Sequence, residues 1–328
     1  MGMSGRKGRR LTLKDVLGRK DLIYPGHRAC AGCVSLTVIR QALKAIERPT
    51  VAVSPTGCAE VTTSIIPYTS WAVPWIHSAF ENAAATAAGI EAAFRAMKKM
   101  GQVKEIPDII VFGGDGGTVD IGFQALSGAA ERGHDFLYVL YDNEAYMNTG
   151  IQRSGATFKY AWTTTSPAGK AIPGKPQWRK PIALIMVEHR MPYVATASPS
   201  EPMDLINKIR RGLDAEGPAF IHIICPCPRG WRFDSRLGIK VAKAAVQTCV
   251  FPLWEARWED GQLDFKLTGT SLAIAKKPEL KKPVEEYLEL QGRFRHLFKP
   301  VRREDLIAEI QASVDAEWAY LLKRAGMA

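Results

Sequence analysis

Short apolar runs alternate with helical segments over residues 34–225, and this alternation restricts the possible folds more than any other feature of the sequence. Strands are predicted at 50–55, 108–114, 136–143, 193–197 and 219–225. Helices are predicted at 34–46, 80–100, 119–133, 182–190 and 201–213. Nearly continuous apolar strands separated by helices are typical of a parallel sheet that is buried on both faces. The predicted fold class is therefore α/β, with helices on both faces of a parallel sheet.

The last 80 or so residues follow a different pattern. Residues 251–267 indicate a small β excursion, and residues 304–326 indicate an amphipathic helix. We therefore expect three regions. Residues 1–20 would form a basic N-terminal tail, residues 21–240 the α/β domain, and residues 241–328 a C-terminal extension for docking to the sheet domain or to another subunit.

The net charge of +11 does not by itself indicate nucleic-acid binding. The basic residues near the two ends are not interleaved with aromatic residues, and a solvated face or attraction of an acidic partner protein explains them. The apolar runs reach only about ten residues, too short to cross a bilayer. No apolar stretch follows the basic start, as a secretory signal would require. We expect a cytoplasmic protein with no membrane segment and no nucleic-acid partner.

A glycine-rich turn, "GGDGG" at 113–117, lies at the end of a predicted strand. Ligands of open α/β sheets bind at the carboxyl ends of strands, and glycines allow close approach to a phosphate and positive φ. A helix expected to begin near Val119 would direct its N-terminus at the same place and favour an anion. A free carboxylate would repel a phosphate, so Asp115 is best explained by a divalent cation, such as Mg²⁺, between the two.

A second ligand for this cation is expected at the end of the next strand, in "YDNEAY". Asn143 follows Asp115 by 28 residues, which is one helix and one strand further along the chain. Its amide oxygen and the backbone carbonyl of Ala145 would complete the protein ligands of Mg²⁺. This spacing is similar to the GDG…N signature of thiamine-diphosphate enzymes, whereas a Gly-Asp-Gly triplet alone also occurs in plain turns.

The sequence contains six cysteines, and the lack of a secretory signal makes a disulfide framework a poor explanation for them. Cys30 and Cys33 form a C-x₂-C pair before a helix, and Cys58 follows a strand. This pattern with a fourth thiolate suits a [4Fe–4S] cluster, and four cysteines also suit zinc. The fourth ligand would be Cys225 or Cys227, which face opposite sides of an extended chain. The turn in "CPRGW" favours Cys227.

Taken together, these motifs resemble the beta subunits of the 2-oxoacid:ferredoxin oxidoreductases, in particular those of the pyruvate synthase type. The resemblance covers residues 20–325. The matching stretches are "GHRACAGC", "PTGC", "GGDGGTVDIGFQALSGAAERGHDFLYVLYDNEAYMNTGIQRSG", "AWTTTSPAGK", "CPCPRGW" and "PVEEYLELQGRF". The resemblance implies a thiamine-diphosphate-binding fold of the pyrophosphate-binding type.

The resemblance also implies roles for individual residues. Thiamine diphosphate and Mg²⁺ would be bound by Gly114, Asp115, Gly116, Gly117, Asn143, Ala145 and Thr149. The [4Fe–4S] cluster would be bound by Cys30, Cys33, Cys58 and Cys227. Asn148 would be catalytic, next to the thiazolium ring and the substrate. Residues 144–180 are expected to form a functional loop region, and its Ser/Thr-rich part, residues 153–170, is expected to fold over the cofactor and exclude water.

The implied reaction is the oxidative decarboxylation of a 2-oxoacid with coenzyme A as acyl acceptor and ferredoxin as electron acceptor. Pyruvate is the expected substrate, with 2-oxoisovalerate, oxalate and aryl-glyoxylates as alternatives. An alpha subunit would supply the glutamate that activates thiamine, and gamma and delta subunits are expected as well. Glu60 and Glu81 are the local alternatives for that glutamate, interpreted here as a turn cap and a helix start.

Two other classes of function remain open at this point. A non-redox thiamine decarboxylase or carboligase subunit would use Asp115 and Asn143 in the same way but would need no cluster. A binding module with structural zinc would use the cysteines and bind some other nucleotide at the glycine turn. The iron content and colour of the purified protein separate the first class from the non-redox class, and analysis of its bound metal identifies the zinc module.

Overall fold

The computed structural model describes residues 9–65, 68–169 and 171–327. Within these ranges, eight strands form one sheet. The strands are β1 Thr50–Pro55, β2 Trp75–Ser78, β3 Asp108–Gly114, β4 Leu137–Asp142, β5 Tyr193–Ala197, β6 Ala219–Ile224, β7 Trp254–Glu259 and β8 Gln262–Leu267. The α-helices are α1 Leu13–Leu17, α2 Val34–Leu43, α3 Cys58–Thr63, α4 Ala83–Lys99, α5 Phe123–Glu131, α6 Ile182–Glu188, α7 Pro202–Asp214, α8 Gly238–Gln247, α9 Gly269–Lys276, α10 Glu285–Leu288 and α11 Glu304–Arg324.

The strand order is β2-β1-β3-β4-β6-β5-β7-β8. The first six strands in this order are parallel to one another, while β7 pairs with β5 and with β8 in antiparallel fashion. This architecture confirms the predicted α/β class. The sequence patterns also predict the bounds of β1, β3 and β5 as the structure has them, because each strand is an apolar run flanked by turn residues.

Both faces of the sheet are buried, as the continuous apolar strands predict. In β3, Ile109 and Val111 pack into a core with α4, α5, α6, α8 and α11, while Ile110 and Phe112 pack on the other side against α2 and α7. Successive side chains of a strand point to opposite faces, so an apolar residue is needed at every position. The central strands therefore hold their carboxyl ends in fixed register, and the candidate site lies there.

Strand β2 was not predicted from the sequence. It comprises four residues, "WIHS", and pairs only with β1 at the edge of the sheet. Its burial is partial, with Ile76 41% exposed. So short and partly exposed a segment lacks the apolar pattern of the central strands, and its conformation depends on pairing with β1.

The C-terminal region is continuous with the sheet and its core. Strand β7 lies beside β5, with Tyr193 opposite Arg257, and the predicted terminal helix is α11. Ile310 and Val314 of this helix belong to the same core as the sheet. Docking of another subunit by residues 241–328 stays a prediction.

The expected N-terminal tail lies partly outside the described residues, since residues 1–8 are not described. From residue 9 onward the chain is ordered against the domain. Thr12 caps the short helix α1 in a capping box with Asp15. The buried Leu11 donates its backbone N–H to Asn207 Oδ1 at 2.8 Å, which fixes this segment to α7.

Among the residues described, no helix has both the length and the apolar character needed to cross a membrane.

Replacing Ile110 with Ala should destabilise the fold by about 2–5 kcal/mol, because it removes a fully buried side chain from the central strand and leaves a cavity. Urea denaturation of the purified chain would measure the loss. Leu280→Ala is the matched control, since Leu280 is 48% exposed and its loss should cost under about 0.5 kcal/mol. Similar values for the two variants would contradict the buried position of Ile110.

Candidate functional site

Parallel pairing brings the functional motifs to one edge of the sheet. Gly114 at the end of β3 lies opposite Tyr141 in β4, and Asp142 at the end of β4 lies opposite Ile224 in β6. One cleft at this edge is lined by all eight residues predicted to bind the cofactor or to act in catalysis: Gly114, Asp115, Gly116, Gly117, Asn143, Ala145, Asn148 and Thr149. Cys58, the first residue of α3, lines the same cleft.

The glycines of the turn are required by close packing rather than by positive φ, which none of the four adopts. A Cβ at Gly116 would lie 2.4 Å from the ring of Tyr146, and a Cβ at Gly117 would lie 2.9 Å from the carbonyl oxygen of Phe80. The helix expected to begin near Val119 in fact begins earlier, as a π-helical turn at Gly116–Ile121 that leads into α5. Its N-terminal N–H groups therefore start next to Asp115.

Three oxygen-bearing groups converge in this cleft. The side-chain amide of Asn143 lies 2.9 Å from the carbonyl oxygen of Ala145 and 3.1 Å from Asp115 Oδ1. With Nδ2 in this position the amide donates two hydrogen bonds. With Oδ1 in the same position three oxygens face one another, which suits a hard cation such as Mg²⁺. The donor set therefore fits the predicted metal.

Two further carboxylates, those of Asp142 and Glu144, are buried beside Asp115, and each has a basic partner. Asp142 Oδ2 lies 2.7 Å from His222 Nε2. Glu144 Oε2 lies 2.7 Å from Arg293 Nη1. Both carboxylates therefore have a nitrogen partner within the protein, and the partner of Glu144 is a cation.

Asp115 differs from its two neighbours. Within the described parts of the chain, its side-chain partner is the hydroxyl of Ser154, which donates to Asp115 Oδ2 at 2.5 Å. Burial, followed by the charge of Asp142, raises the pKa of Asp115 well above its ordinary value. A cation bound at Oδ1 would lower the pKa of Asp115 again and keep its carboxylate ionised.

Asn148 and Thr149 lie at the exposed mouth of the cleft. The hydroxyl of Thr149 donates within its own turn, to Gln152 Oε1 at 2.6 Å and to Tyr146 O at 3.3 Å. The predicted role of Thr149 in cofactor binding therefore depends on its backbone or on a rotation of its side chain. The catalytic role of Asn148 and the cofactor-binding role of Thr149 stay predictions.

Four cysteine thiols lie near one another beside the cleft. Burial, followed by the nearby Cys227, Cys33, Asp115 and Cys30, raises the pKa of Cys58 to about 12. The loop around Gly32, whose φ is +72°, lies directly against Ser235 of the segment that follows Cys227. The sequence-predicted set of four thiols is therefore brought into one neighbourhood by three separate stretches of chain.

Backbone N–H groups are directed at two of these thiols. Gly230 N lies 3.4 Å from the sulfur of Cys227, and the N–H groups of Ser35 and Leu36, at the start of α2, interact with Cys33. Burial raises the pKa of both thiols, and these backbone donors act against it, toward the thiolate that binds iron or zinc. All six cysteines are free of disulfides. Among the described residues, no three His, Cys, Asp or Glu side chains are drawn together tightly enough to form a metal site.

Cys225 is placed differently from Cys227. It is fully buried at the end of β6, where its backbone N–H donates to Asp142 O at 2.7 Å. Burial, followed by the charge of Asp142, raises its thiol pKa well above the ordinary value. This placement matches the packing role expected from the sequence, while Cys227 is partly exposed.

Sequence analysis missed several residues that shape the site. Ser154 holds Asp115, Trp231 Nε1 donates to Asn143 O at 2.7 Å, and Tyr146 OH donates to Gly116 O at 3.1 Å. The only sequence signal was their presence in stretches that contain predicted ligands, "YMNTGIQRSG" and "CPRGW". Their partners lie 30 to 88 positions away in the sequence, so only the folded chain shows these contacts.

Residues 55–223 match the family model described as thiamine pyrophosphate enzyme, C-terminal TPP binding domain. This range runs from the last residue of β1 to the next-to-last residue of β6, and it contains β2 to β5, the glycine turn and the cleft. Fold and site therefore define a thiamine pyrophosphate-binding enzyme domain.

Curated relatives cover almost the whole chain. Pyruvate synthase subunit PorB of Methanocaldococcus jannaschii is 50% identical over 300 residues, which is 90% of this chain and 95% of that protein. The subunit of the same name from Thermotoga maritima is 46% identical over 92% of this chain and 91% of its own length. Ketoisovalerate oxidoreductase subunit VorB of Pyrococcus abyssi is 43% identical over 97% of this chain and 96% of its own length.

The chain belongs to the family of 2-oxoacid:ferredoxin oxidoreductase beta subunits, of the pyruvate synthase type. A solved structure has a similar fold, that of the 2-oxoglutarate:ferredoxin oxidoreductase from Magnetococcus marinus with 2-oxoglutarate, coenzyme A and succinyl-CoA bound. It has a TM-score of 0.51 and 21% identity, and the match covers 68% of this chain and 84% of that one. The recognition made from the sequence motifs is thereby confirmed.

A buried lysine in the loop above the site should make stability depend on pH. Lys175 is 1% exposed, its Nζ donates to Thr157 O at 2.7 Å, and burial lowers its pKa from 10.5 to about 8. Between these values the unfolded chain binds more protons than the folded one, so stability should rise with pH. Since one pKa unit corresponds to about 1.4 kcal/mol, the gain should reach about 3 kcal/mol at most.

Urea denaturation of the wild type and of Lys175→Met across this pH range would measure the effect as a difference between the two curves. Lys99→Met is the control, because Lys99 is exposed at the end of α4. The wild-type curve should rise relative to that of Lys175→Met and run parallel to that of Lys99→Met. A constant difference between the wild type and Lys175→Met would show that Lys175 titrates normally.

Proposed function

We propose that this chain is the thiamine-diphosphate-binding beta subunit of a coenzyme A-acylating pyruvate:ferredoxin oxidoreductase. The observation that carries the proposal is the convergence of Asp115 Oδ1, the Asn143 amide and Ala145 O at the edge where β3 and β4 end. In the reaction, pyruvate, coenzyme A and two oxidised ferredoxins give acetyl-CoA, CO₂, two reduced ferredoxins and one proton.

Each part of the cleft has a role in this proposal. Asp115, Asn143 and Ala145 hold Mg²⁺, and the backbone at Gly114, Gly116 and Gly117 accommodates the diphosphate next to the first helical turn. When bound, the cofactor supplies the electron sink for decarboxylation. Asn148 and Thr149, at the exposed mouth, face the end of the cofactor where substrate reacts.

The four thiols of Cys30, Cys33, Cys58 and Cys227 bind a [4Fe–4S] cluster in this proposal. Support comes from their common neighbourhood and from the backbone donors directed at Cys33 and Cys227. Cys58 also lines the cofactor cleft, so a cluster held there would lie next to the cofactor. That is where an acceptor of single electrons is needed.

A partner subunit completes the site in this proposal. Asp115 is the carboxylate found among the described residues that line the cleft, and the proposal uses it for the metal. Glu60 accepts a hydrogen bond from Ser64 Oγ at 3.1 Å and, like Glu81, does not line the cleft. The activating glutamate is therefore expected from an alpha subunit, with gamma and delta subunits and ferredoxin as further partners. The isolated chain should bind thiamine diphosphate poorly and show no turnover.

A second candidate substrate is 2-oxoisovalerate, because the relative named ketoisovalerate oxidoreductase subunit VorB matches nearly the entire chain. The assembled complex should be assayed anaerobically with viologen dye against pyruvate, 2-oxoisovalerate, 2-oxoglutarate and an aryl-glyoxylate. A kcat/KM that is highest for pyruvate supports the proposal. Preference for another 2-oxoacid would reassign the substrate, and a colourless, iron-free complex that still decarboxylates would favour the non-redox class.

Cys227→Ala should lose the cluster, whereas Cys225→Ala should keep it. The visible absorbance that gives the cluster its brown colour would be measured under anaerobic conditions, together with the iron content of the complex. These two cysteines are a matched pair, since they lie two positions apart, and Cys227 lies near Cys58, Cys33 and Cys30 while Cys225 is fully buried. Loss of iron in Cys225→Ala alone would transfer the role of fourth ligand to that residue, and stoichiometric zinc in the wild type would replace the cluster.

Asp115→Asn should change binding and stability in opposite directions. It removes a buried charge that has no basic partner among the described residues, so the ligand-free protein should gain about 1 kcal/mol in stability. The apparent affinity for Mg²⁺ with thiamine diphosphate should fall about 100-fold or more, since a metal ligand is lost. Thermal unfolding and calorimetric titration of the complex measure the two effects.

Asp234→Asn is the control for this variant, because Asp234 is a surface residue that pairs with Arg236. It should leave cofactor affinity unchanged. Retention of wild-type affinity in Asp115→Asn would exclude Asp115 as a metal ligand.

A further inference from the structure

Glu144 stands between the two residues whose oxygens face Asp115, and its backbone is unusual. Its φ is +60°, in the left-handed region that residues other than glycine rarely adopt. This conformation reverses the chain for one residue, so that the side chain of Asn143 and the carbonyl of Ala145 approach each other to 2.9 Å. Such a turn persists only where its surroundings hold it in place.

A buried ion pair holds this turn from the outside. The carboxylate of Glu144 is 1% exposed, and its Oε2 lies 2.7 Å from Nη1 of Arg293, which is 2% exposed. A second guanidinium, that of Arg179, lies 3.8 Å from Oε1. Arg293 belongs to the C-terminal region, 149 positions from Glu144 in the sequence.

Trp231 closes a ring of contacts around the same turn. The guanidinium of Arg293 lies over the indole ring of Trp231, 3.8 Å from its centroid. Trp231 Nε1 in turn donates to Asn143 O at 2.7 Å. Arg293 Nε also donates to Gln291 Oε1 at 2.9 Å, so the guanidinium has little freedom to move.

The remaining polar groups of the turn are anchored as well. Glu144 N donates to Asp142 Oδ1 at 2.8 Å, and Thr157 Oγ1 donates to Glu144 O at 2.6 Å. In contrast, Ala145 O faces the amide of Asn143 inside the cleft. The anchors therefore fix the turn from behind and leave its cleft side for a ligand.

We propose that Glu144, Arg293 and Trp231 act together as positioning residues that preset the Mg²⁺-binding oxygens of Asn143 and Ala145. The inference rests on the proposed function and deepens it. A buried ion pair contributes little net stability compared with apolar residues of similar size. The pair of Glu144 and Arg293 is therefore better explained by the position it gives to the turn than by a gain in stability. Loss of partners that orient metal ligands typically weakens metal binding about 10- to 100-fold.

The test uses the complex assembled with its partner subunits. Mg²⁺ is titrated by calorimetry at saturating thiamine diphosphate. Unfolding temperatures are recorded in the presence and in the absence of Mg²⁺ and thiamine diphosphate. Glu144→Gln should raise the half-saturating Mg²⁺ concentration about 10- to 100-fold. Asp108→Asn is the matched control, since Asp108 is a buried partner of Arg48, at 2.9 Å, located at the opposite end of β3. It should lower the unfolding temperature and leave Mg²⁺ affinity unchanged.

Two further variants separate positioning from stability. Trp231→Phe keeps an aromatic ring in the core but removes the hydrogen bond to Asn143, and it should weaken Mg²⁺ binding about ten-fold even if Glu144→Gln fails to fold. The double variant Glu144→Gln/Arg293→Gln removes both charges of this ion pair, and Arg179 keeps a carboxylate partner in Glu317, at 3.9 Å. It should regain much of the lost unfolding temperature while its Mg²⁺ affinity stays low.

The outcomes distinguish this inference from the proposed function. A wild-type complex that binds no thiamine diphosphate with Mg²⁺ would overturn the proposed function. If the wild type binds, wild-type Mg²⁺ affinity in Trp231→Phe and in the double variant would overturn the positioning role alone. Weaker Mg²⁺ binding in Trp231→Phe and in the double variant, with wild-type Mg²⁺ affinity in Asp108→Asn, supports the positioning role.

Discussion

Three carboxylates are buried side by side where β3 and β4 end, and their mutual repulsion constrains the rest of the site. Asp142 is paired with His222, and Glu144 is paired with Arg293. Asp115 has a hydroxyl partner, Ser154, and its pKa is raised by burial and by Asp142. In the proposed function, a divalent cation that arrives with a diphosphate would supply a positive charge beside this third carboxylate. The arrangement therefore favours binding of metal and cofactor together over binding of either alone.

This electrostatic arrangement depends on parts of the chain that are far apart in sequence. The loop after β4 contributes Ser154 and Thr157, and the segment before α11 contributes Arg293. Because these groups contact the turn at Asn143–Ala145 from behind, the C-terminal region is part of the support of the candidate site as well as a candidate docking surface. Its core residues continue the sheet core, which makes that support rigid.

The central strands, and the meeting of the predicted site residues in one cleft, could be predicted from the sequence because local patterns encode both. An apolar run followed by "GGDGG" predicts a buried strand and a phosphate turn, and Asn143 follows at the end of the next strand. The edge strand β2 could not be predicted, because its conformation depends on pairing with β1. Neither could the contacts of Trp231 and Arg293, since nothing in the local sequence shows which distant carbonyl or carboxylate they reach.

The position of Cys58 ties the two proposed cofactors to the same piece of structure. Cys58 follows β1 and is the first residue of α3. It lines the cofactor cleft, and its thiol lies near those of Cys227, Cys33 and Cys30. Of the four cysteines, Cys58 lines the cleft and Cys30 is exposed at the surface. A cluster bound by these thiols would therefore lie between the cleft and the protein surface. In that order, electrons released at the cofactor need no path through the apolar core to reach an external acceptor.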